Sequence, residues 1–361
     1  MHSNGDKSFQ STATLSLLSA GLAVLLILLL QIGAEAQSKL QRRNTSRAAN
    51  FTIKNSFKKF RYTSVGASVS SLNYFGDLAP APSMLSTDLD MTRPAFNFFL
   101  EHRQGPRYTW RAGFFYGTVI GADAKSSSPE KDQSFHRHRR NASFKNHIKE
   151  LSITFVFDLI RHQSMYFKRP PFNAYAFSGI AIFHHNPKAK LPASDLHGNP
   201  LPDAGKWMAL QPRGTEGQFA QLQPTDANYG IEPYKLIQPA VPLGVGVRIR
   251  ANETINIFCE ASVRYLFTDY IDDVSRNYVD LGVLDNPVAQ ALSYRGNEIG
   301  PNANPYSYVG RDGKNYVVEA GFGAEHPSNL RGDKSDNDFL FLFSIGSSVI
   351  LKGKYTRAKS R

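Results

Sequence analysis

What most limits the folds open to this chain is a set of segments in which large apolar residues recur at every second position. In the stretch 151–159 the odd positions are Leu151, Ile153, Phe155, Phe157 and Leu159, and the even ones are Ser152, Thr154, Val156 and Asp158. The stretch 241–250 places Val241, Leu243, Val245, Val247 and Ile249 against Gly244, Gly246, Arg248 and Arg250. Ile257, Cys259, Ala261, Val263, Tyr265 and Phe267 alternate with Phe258, Glu260, Ser262, Arg264 and Leu266, and the series Phe339 to Leu351 alternates with smaller residues. Four further segments, 62–73, 93–101, 109–120 and 173–183, carry the same signal less cleanly, the last through Tyr175, Phe177, Ala181 and Phe183. A helix would repeat every 3.6 residues; a period of two belongs to a strand with two unlike faces. The result is eight strands of roughly 9–14 residues, each long enough to cross a bilayer when tilted.

The connections narrow the choice further. They run 74–92, 102–108, 121–147, 160–172, 184–237, 251–253 and 268–337, so long and short links alternate. Tight turns at one end and large loops at the other are the habit of an outer-membrane barrel, whereas loops of such length count against a compact soluble sandwich. The expected fold is all-β: an antiparallel transmembrane β-barrel over 61–352, with eight strands. Extra hairpins inside 268–337, Tyr316–Phe322 for instance, would raise the number to ten. Charge at the bilayer midplane costs about 2–4 kcal/mol in such barrels, so the apolar faces must point outward. Glu101, Arg111, Asp158, Arg248, Arg250, Glu260 and Arg264 then fall inside, where charges of both signs should pair. Eight strands leave an interior that side chains fill, which predicts a plugged cylinder and no solute pore.

Composition and the chain ends fit an exported protein. Residues 1–36 read as a signal peptide, with an apolar core from Ala13 to Leu30 and a small-x-small site at Ala34-Glu35-Ala36. After it comes a basic leader, 37–60, and after the barrel a basic tail, 353–361. No apolar run beyond residue 36 approaches the roughly 20 residues of a spanning helix. The 25 Phe and 16 Tyr argue against disorder, and the single Cys259 cannot form an internal bridge. A formal charge of +12 could suggest nucleic acid, but an exported barrel has no such partner, and neither a cofactor nor a small-molecule substrate is expected.

Several features read first as ordinary surface. His136-Arg137-His138-Arg139-Arg140 is a solvated loop tip, Arg331-Gly332-Asp333 a turn, and Asp269, Asp272 and Asp273 lack calcium-loop spacing. His184 and His185 would serve a lipid A-modifying enzyme only beside a nucleophile, and no such spacing stands out. The loops 184–237 and 268–337 leave room for a surface adhesin or receptor as another reading.

Four phrases are harder to treat as loop filler. They are Asn73-Tyr74-Phe75-Gly76-Asp77-Leu78; His185-Asn186-Pro187-Lys188-Ala189; Trp207 with Leu210-Gln211-Pro212 and Gly214-Thr215-Glu216-Gly217-Gln218; and Phe267-Thr268-Asp269-Tyr270-Ile271-Asp272-Asp273-Val274-Ser275. Their mixture of aromatic, glycine and acidic residues predicts ordered loops that hydrogen-bond to one another. In this order, across about residues 60–352, they resemble the PorG-like family of outer-membrane barrels of the Bacteroidota type IX secretion machinery. The resemblance implies a non-enzymatic anchor in outer-membrane lipid, in contact with the periplasmic ring of PorK lipoprotein and PorN that serves secretion and, in some bacteria, gliding. Contacts to that ring would come from the leader, the short turns and the tail. These are basic overall (Lys58, Lys59, Arg61, Arg103, Arg107, Arg161, Lys168, Arg169, Lys352, Lys354), a hint of an acidic partner surface.

Overall fold

The computed structural model describes residues 60–78, 91–126, 132–163, 165–302, 304–335 and 337–351. The proposed signal peptide, the tail and all but Phe60 of the leader lie outside them. In chain order the described strands are β1 (Tyr62–Phe75), β2 (Arg93–Arg103), β3 (Tyr108–Ala122), β4 (Ser143–Asp158), β5 (Phe172–His184), β6 (Lys188–Lys190), β7 (Trp207–Ala209), β8 (Ile237–Arg250), β9 (Ile255–Leu266), β10 (Pro305–Val309), β11 (Asn315–Glu319) and β12 (Phe339–Leu351). Eight of them form the wall. Around it run β1, β2, β3, β4, β5, β8, β9 and β12, every neighbour antiparallel, and β12 pairs back onto β1 from Thr63↔Leu351 to Phe75↔Phe339. The ring therefore closes and leaves no free edge in the wall.

The ten-strand alternative is set aside by the same register. A hairpin does form within 268–337, but β10 and β11 pair only with each other and stand apart from the wall. The pair β6–β7 extends from the top of β4 through Lys145↔Lys188. Short helices α1 (Asp123–Ser126), α2 (Asp132–Arg140) and α3 (Pro287–Ser293) also lie in the long connections. The last begins on Asn286, whose side chain accepts from the Ala289 amide, with Pro287 at its first turn.

Parity along each strand decides which face is wet by lipid. Leu151, Ile180, Ile182 and Leu243 are each more than 60% exposed, while their in-line neighbours Glu150, Ala181 and Phe183 are buried. Aromatic residues stand at both rims of this outward belt: Tyr108, Trp110 and Phe155 near the short turns, and Tyr116, Tyr265, Phe267 and Phe339 near the long loops. A continuous apolar belt of this size has no stable exposure to water, and aromatic girdles mark the two bilayer interfaces, so the wall is transmembrane. The strand β5 departs from the simple pattern. Its aromatic face, Tyr175, Phe177 and Phe183, turns inward, and isoleucines cover the outside.

Inside, the two halves differ. Toward the short turns the lumen is ionic. Toward the long loops it is apolar, filled by Leu72, Phe115, Val119, Phe144, Ile148, Phe183, Leu266 and Leu342, with Ile271 and Val274 inserted from the loop after β9. That loop builds a second apolar cluster above the barrel from Tyr278, Leu281, Tyr294, Tyr316 and Phe322.

Candidate functional site

The ionic half of the lumen is a compensated network. Glu101 accepts from Arg111 at 2.9 and 3.0 Å, from Arg248 at 3.2 Å and from the Ser64 hydroxyl at 3.1 Å. Arg111 also pairs with Glu260 at 2.7 Å, and the Tyr175 hydroxyl donates to Glu260 at 2.7 Å. Asp158 takes Arg103 at 2.5 Å and lies 3.8 Å from Arg248. Three carboxylates thus face three guanidiniums, and a fourth pair, Arg264 with Glu150, lies nearer the long loops. The guanidiniums stack as well as pair: Arg248 lies 4.7 Å from the Tyr175 ring, and Arg111 lies 4.6 Å from Phe99 and 5.3 Å from Phe177. Aromatic faces thus lie beside the charged heads across the width of the lumen.

Six of the seven charges expected inside, Glu101, Arg111, Asp158, Arg248, Glu260 and Arg264, are buried there. Arg250 is different. It sits half-buried at the short-turn rim and donates to the carbonyls of Phe167 and Arg169. Arg103 and Glu150 complete the network, and each lies just past the end of the clear alternation in its strand. Arg169 likewise turns inward, tying the 160–172 turn to Asn252, Glu253, Ile255 and Asn256. Buried Arg103 and Arg169 therefore cannot contribute to a basic docking face. Among the described residues of that set Arg107 is half-buried and Arg61, Arg161 and Lys168 are exposed, while Lys58, Lys59, Lys352 and Lys354 lie outside the described residues.

At the other end, three of the four phrases meet in one buried polar lid. The Tyr74 hydroxyl lies 2.6 Å from Asp272 and 2.8 Å from Asp338. Asp338 accepts from the Ile271 amide at 2.9 Å, and Asp272 from Val274 at 2.9 Å and from Leu78 at 3.3 Å, which holds the loop end down on the barrel. Gly76 makes this approach feasible, since a Cβ there would meet Asp338 Oδ1 at 1.9 Å and the Tyr74 hydroxyl at 2.0 Å. Gly214 and Gly217, at φ 57° and 87°, turn the third phrase so that Thr215 and Glu216 face inward. Thr215 donates to Asp273 at 2.5 Å, Tyr234 donates to Asp273 at 2.7 Å, and Glu216 accepts from the amides of Ser275 and Arg276.

Two arginines that read as surface prove central to this lid. Arg331 reaches Glu216 at 2.9 Å, the Asp273 carboxylate at 3.5 Å and the Asp273 carbonyl. Arg140, the last residue of the basic run, clamps Asp123 with two bonds of 2.8 and 2.9 Å and donates to the carbonyls of Asp77 and Arg331. The run is thus a helix ending in a buried ion pair, not a free loop tip. Asp77 in turn accepts from the Asp333 amide at 3.0 Å. With more carboxylates than guanidiniums in the lid, burial and mutual repulsion raise several acids. Asp269 is pushed up to about 10, chiefly by burial and then by Asp338. Burial lifts Asp273 to about 6 against the opposing pull of Arg331. Asp272 and Asp338 shift upward too, again mainly through burial.

The remaining residues of the phrases take lesser places. Asn186 donates its amide to Asn146, whose side chain donates to the Ile271 carbonyl, so the second phrase joins the lid at one remove. Pro187 is buried, Lys188 half-buried in β6, and Gln211 donates to the Tyr234 carbonyl. Gln218 accepts from the Glu216 amide, and Thr268 from the Tyr270 amide. Tyr270 stacks on Tyr234 at 4.5 Å. Phe75 and Phe267 point outward to the belt, Phe75 stacked 4.8 Å from Phe339, and Trp207 is exposed on β7. His185 is fully buried between Phe183 and Tyr234, and burial pushes its imidazole down to about 4. It faces no lipid. Among the described residues no group of three or more His, Cys, Asp or Glu could hold a metal ion.

Fold and site together define a transmembrane eight-stranded β-barrel with a charge-paired, filled lumen and a hydrogen-bonded lid. A family model described as "Domain of unknown function (DUF6089)" matches residues 49–192. Comparison with curated proteins gives no match. Among solved structures, the chain is similar to Neisserial surface protein A (NspA), at 8% identity over 80% of this chain and 96% of that one, TM-score 0.34. It is similar also to a major outer membrane protein from Thermus thermophilus, at 8% identity over 80% and 99%, TM-score 0.35. A third is the outer membrane protein OprG from Pseudomonas aeruginosa, at 7% identity over 82% and 98%, TM-score 0.32. The fold assignment rests on the strand register and the outward belt.

Proposed function

We propose that this chain is a non-enzymatic outer-membrane barrel that anchors the periplasmic ring of a type IX secretion complex. The observation that carries the reading is the filled lumen. With Arg103, Arg111, Arg248 and Arg264 each paired to a carboxylate inside the wall, the barrel offers no path for a solute and holds its place as a rigid body. The resemblance to PorG-like barrels supplies the partner, and three of its four phrases make up one buried lid while the fourth braces it. Antiparallel barrels of this kind place short turns in the periplasm, so Arg61, Arg161 and Lys168 would face the ring and suit an acidic docking surface.

Deleting the gene and assaying export of type IX cargo tests the role. Loss of export is the expected result, restored by the wild-type chain and reduced with Arg61, Arg161 and Lys168 all reversed to Glu. Undiminished export in the deletion strain would remove the proposal. An adhesin reading through the loops would instead predict lost surface binding with secretion intact.

A further inference from the structure

We infer that the outer wall beside Trp207 is a binding site for a phosphorylated glycolipid of the outer leaflet. On β4 the outward positions above the belt are Lys145, His147 and Lys149, and the next one down is Leu151. Lys145 lies directly opposite Lys188 of β6, with Lys190 two residues on along the same face. Like charges placed opposite each other across a strand pair repel, and a bound anion relieves that cost. Among the described residues none of these lysines pairs with a carboxylate.

Trp207 lies between them. Its exposed ring is 5.5 Å from the Lys145 ammonium and 5.7 Å from that of Lys190. Beside it opens a cleft of about 480 Å³ whose charged lining residues are Arg93 and Lys145. Among the described residues no carboxylate lines it. Directly below Lys149 begins the apolar wall of Leu151, Ile180 and Ile182. The site therefore offers cations at headgroup height, a tryptophan at the interface and a surface for acyl chains beneath, which a free phosphate would not use. A lipid whose headgroup carries phosphate fits all three.

The inference rests on placement of the barrel in the outer membrane, not on its association with the ring. Binding is measured on the purified full chain, so failure of the ring reading leaves it intact, and a wrong membrane would show separately on envelope fractionation. The chain has two tryptophans, so Trp110→Phe leaves Trp207 as the sole reporter. In nanodiscs of phosphatidylcholine, titrating in bisphosphorylated lipid A should shift Trp207 emission saturably, and native mass spectrometry should show retained lipid. Lys145→Gln with Lys190→Gln should weaken the response about 30-fold, the loss of two surface cations. Lys145→Arg with Lys190→Arg should keep it, which separates charge from misfolding, and Lys314→Gln in the distant loop should leave it unchanged. Equal binding of lipid A stripped of phosphate, saturation by inorganic phosphate alone, or full binding by the double Gln variant would each overturn the inference.

Discussion

Replacing Glu101 by Gln perturbs the lumen with almost no change of shape. In the wild-type chain one oxygen of this carboxylate takes three guanidinium bonds, two from Arg111 and one from Arg248. Replacing the carboxylate acceptor by a neutral amide oxygen weakens each guanidinium bond by about 1 kcal/mol. Arg111 keeps Glu260 at 2.7 Å, but Arg248 is left with Asp158 at 3.8 Å, a carboxylate already held by Arg103. One positive charge in the membrane interior thus loses its counter-charge, and breaking a buried pair in this way costs about 3–5 kcal/mol. We expect Glu101→Gln to lose about 3–5 kcal/mol in urea unfolding from phospholipid vesicles, followed by tryptophan fluorescence. Adding Arg248→Met removes the surplus charge while Arg103–Asp158 and Arg111–Glu260 remain, so the double variant should recover most of the loss. The reasoning fails if Glu101→Gln unfolds within about 0.5 kcal/mol of wild type, the range of an ordinary surface substitution, or if the second substitution adds a further loss of similar size.

Reconstituted in a planar bilayer, the wild-type barrel should pass no steady ionic current, because aromatic rings and paired charges fill its width; stable conductance steps would contradict this. Gly76→Ala should push Tyr74 off Asp338 and loosen the lid by about 1–3 kcal/mol, seen as faster trypsin cleavage of the long loops with the strands still protected. The lid should also respond to pH. Asp273 and Asp269 are raised in the folded state, to about 6 and about 10, so their contribution is fully present below the ordinary carboxylate range and is lost as pH rises through those values. Amide exchange in 268–275, corrected for its intrinsic rise with pH, should accelerate from about pH 4, the ordinary carboxylate value, up to about pH 10, and Asp269→Asn should flatten the part of that rise above about pH 6.

Much of the wall was legible because lipid outside and charge inside force a period of two that sequence displays directly. The ends of the strands were not, since the alternation there joins polar to polar. Glu150 lies just before Leu151 and Arg103 two residues after Glu101, so extending each strand in register would have found both. In β5, Tyr175 and Phe177 carried no sign that they face inward; only the width of the lumen and the nearby guanidiniums decide it. The lid was half visible. Its phrases were recognisable as ordered, but Arg140 and Arg331 looked like solvated surface because their partners, Asp123 and Glu216, are supplied by folding. The hairpin Pro305–Glu319 has strand-like sequence, and only pairing tells a wall strand from a loop strand.

The anchoring role is tested most directly by affinity purification of the tagged full chain from mildly solubilised envelopes, with the companions identified by mass spectrometry. The ring lipoprotein and its partner should be recovered in constant proportion, and in much smaller amount once Arg61, Arg161 and Lys168 are reversed to Glu. Recovery of the barrel without either ring protein, from cells in which both are present, would contradict the account.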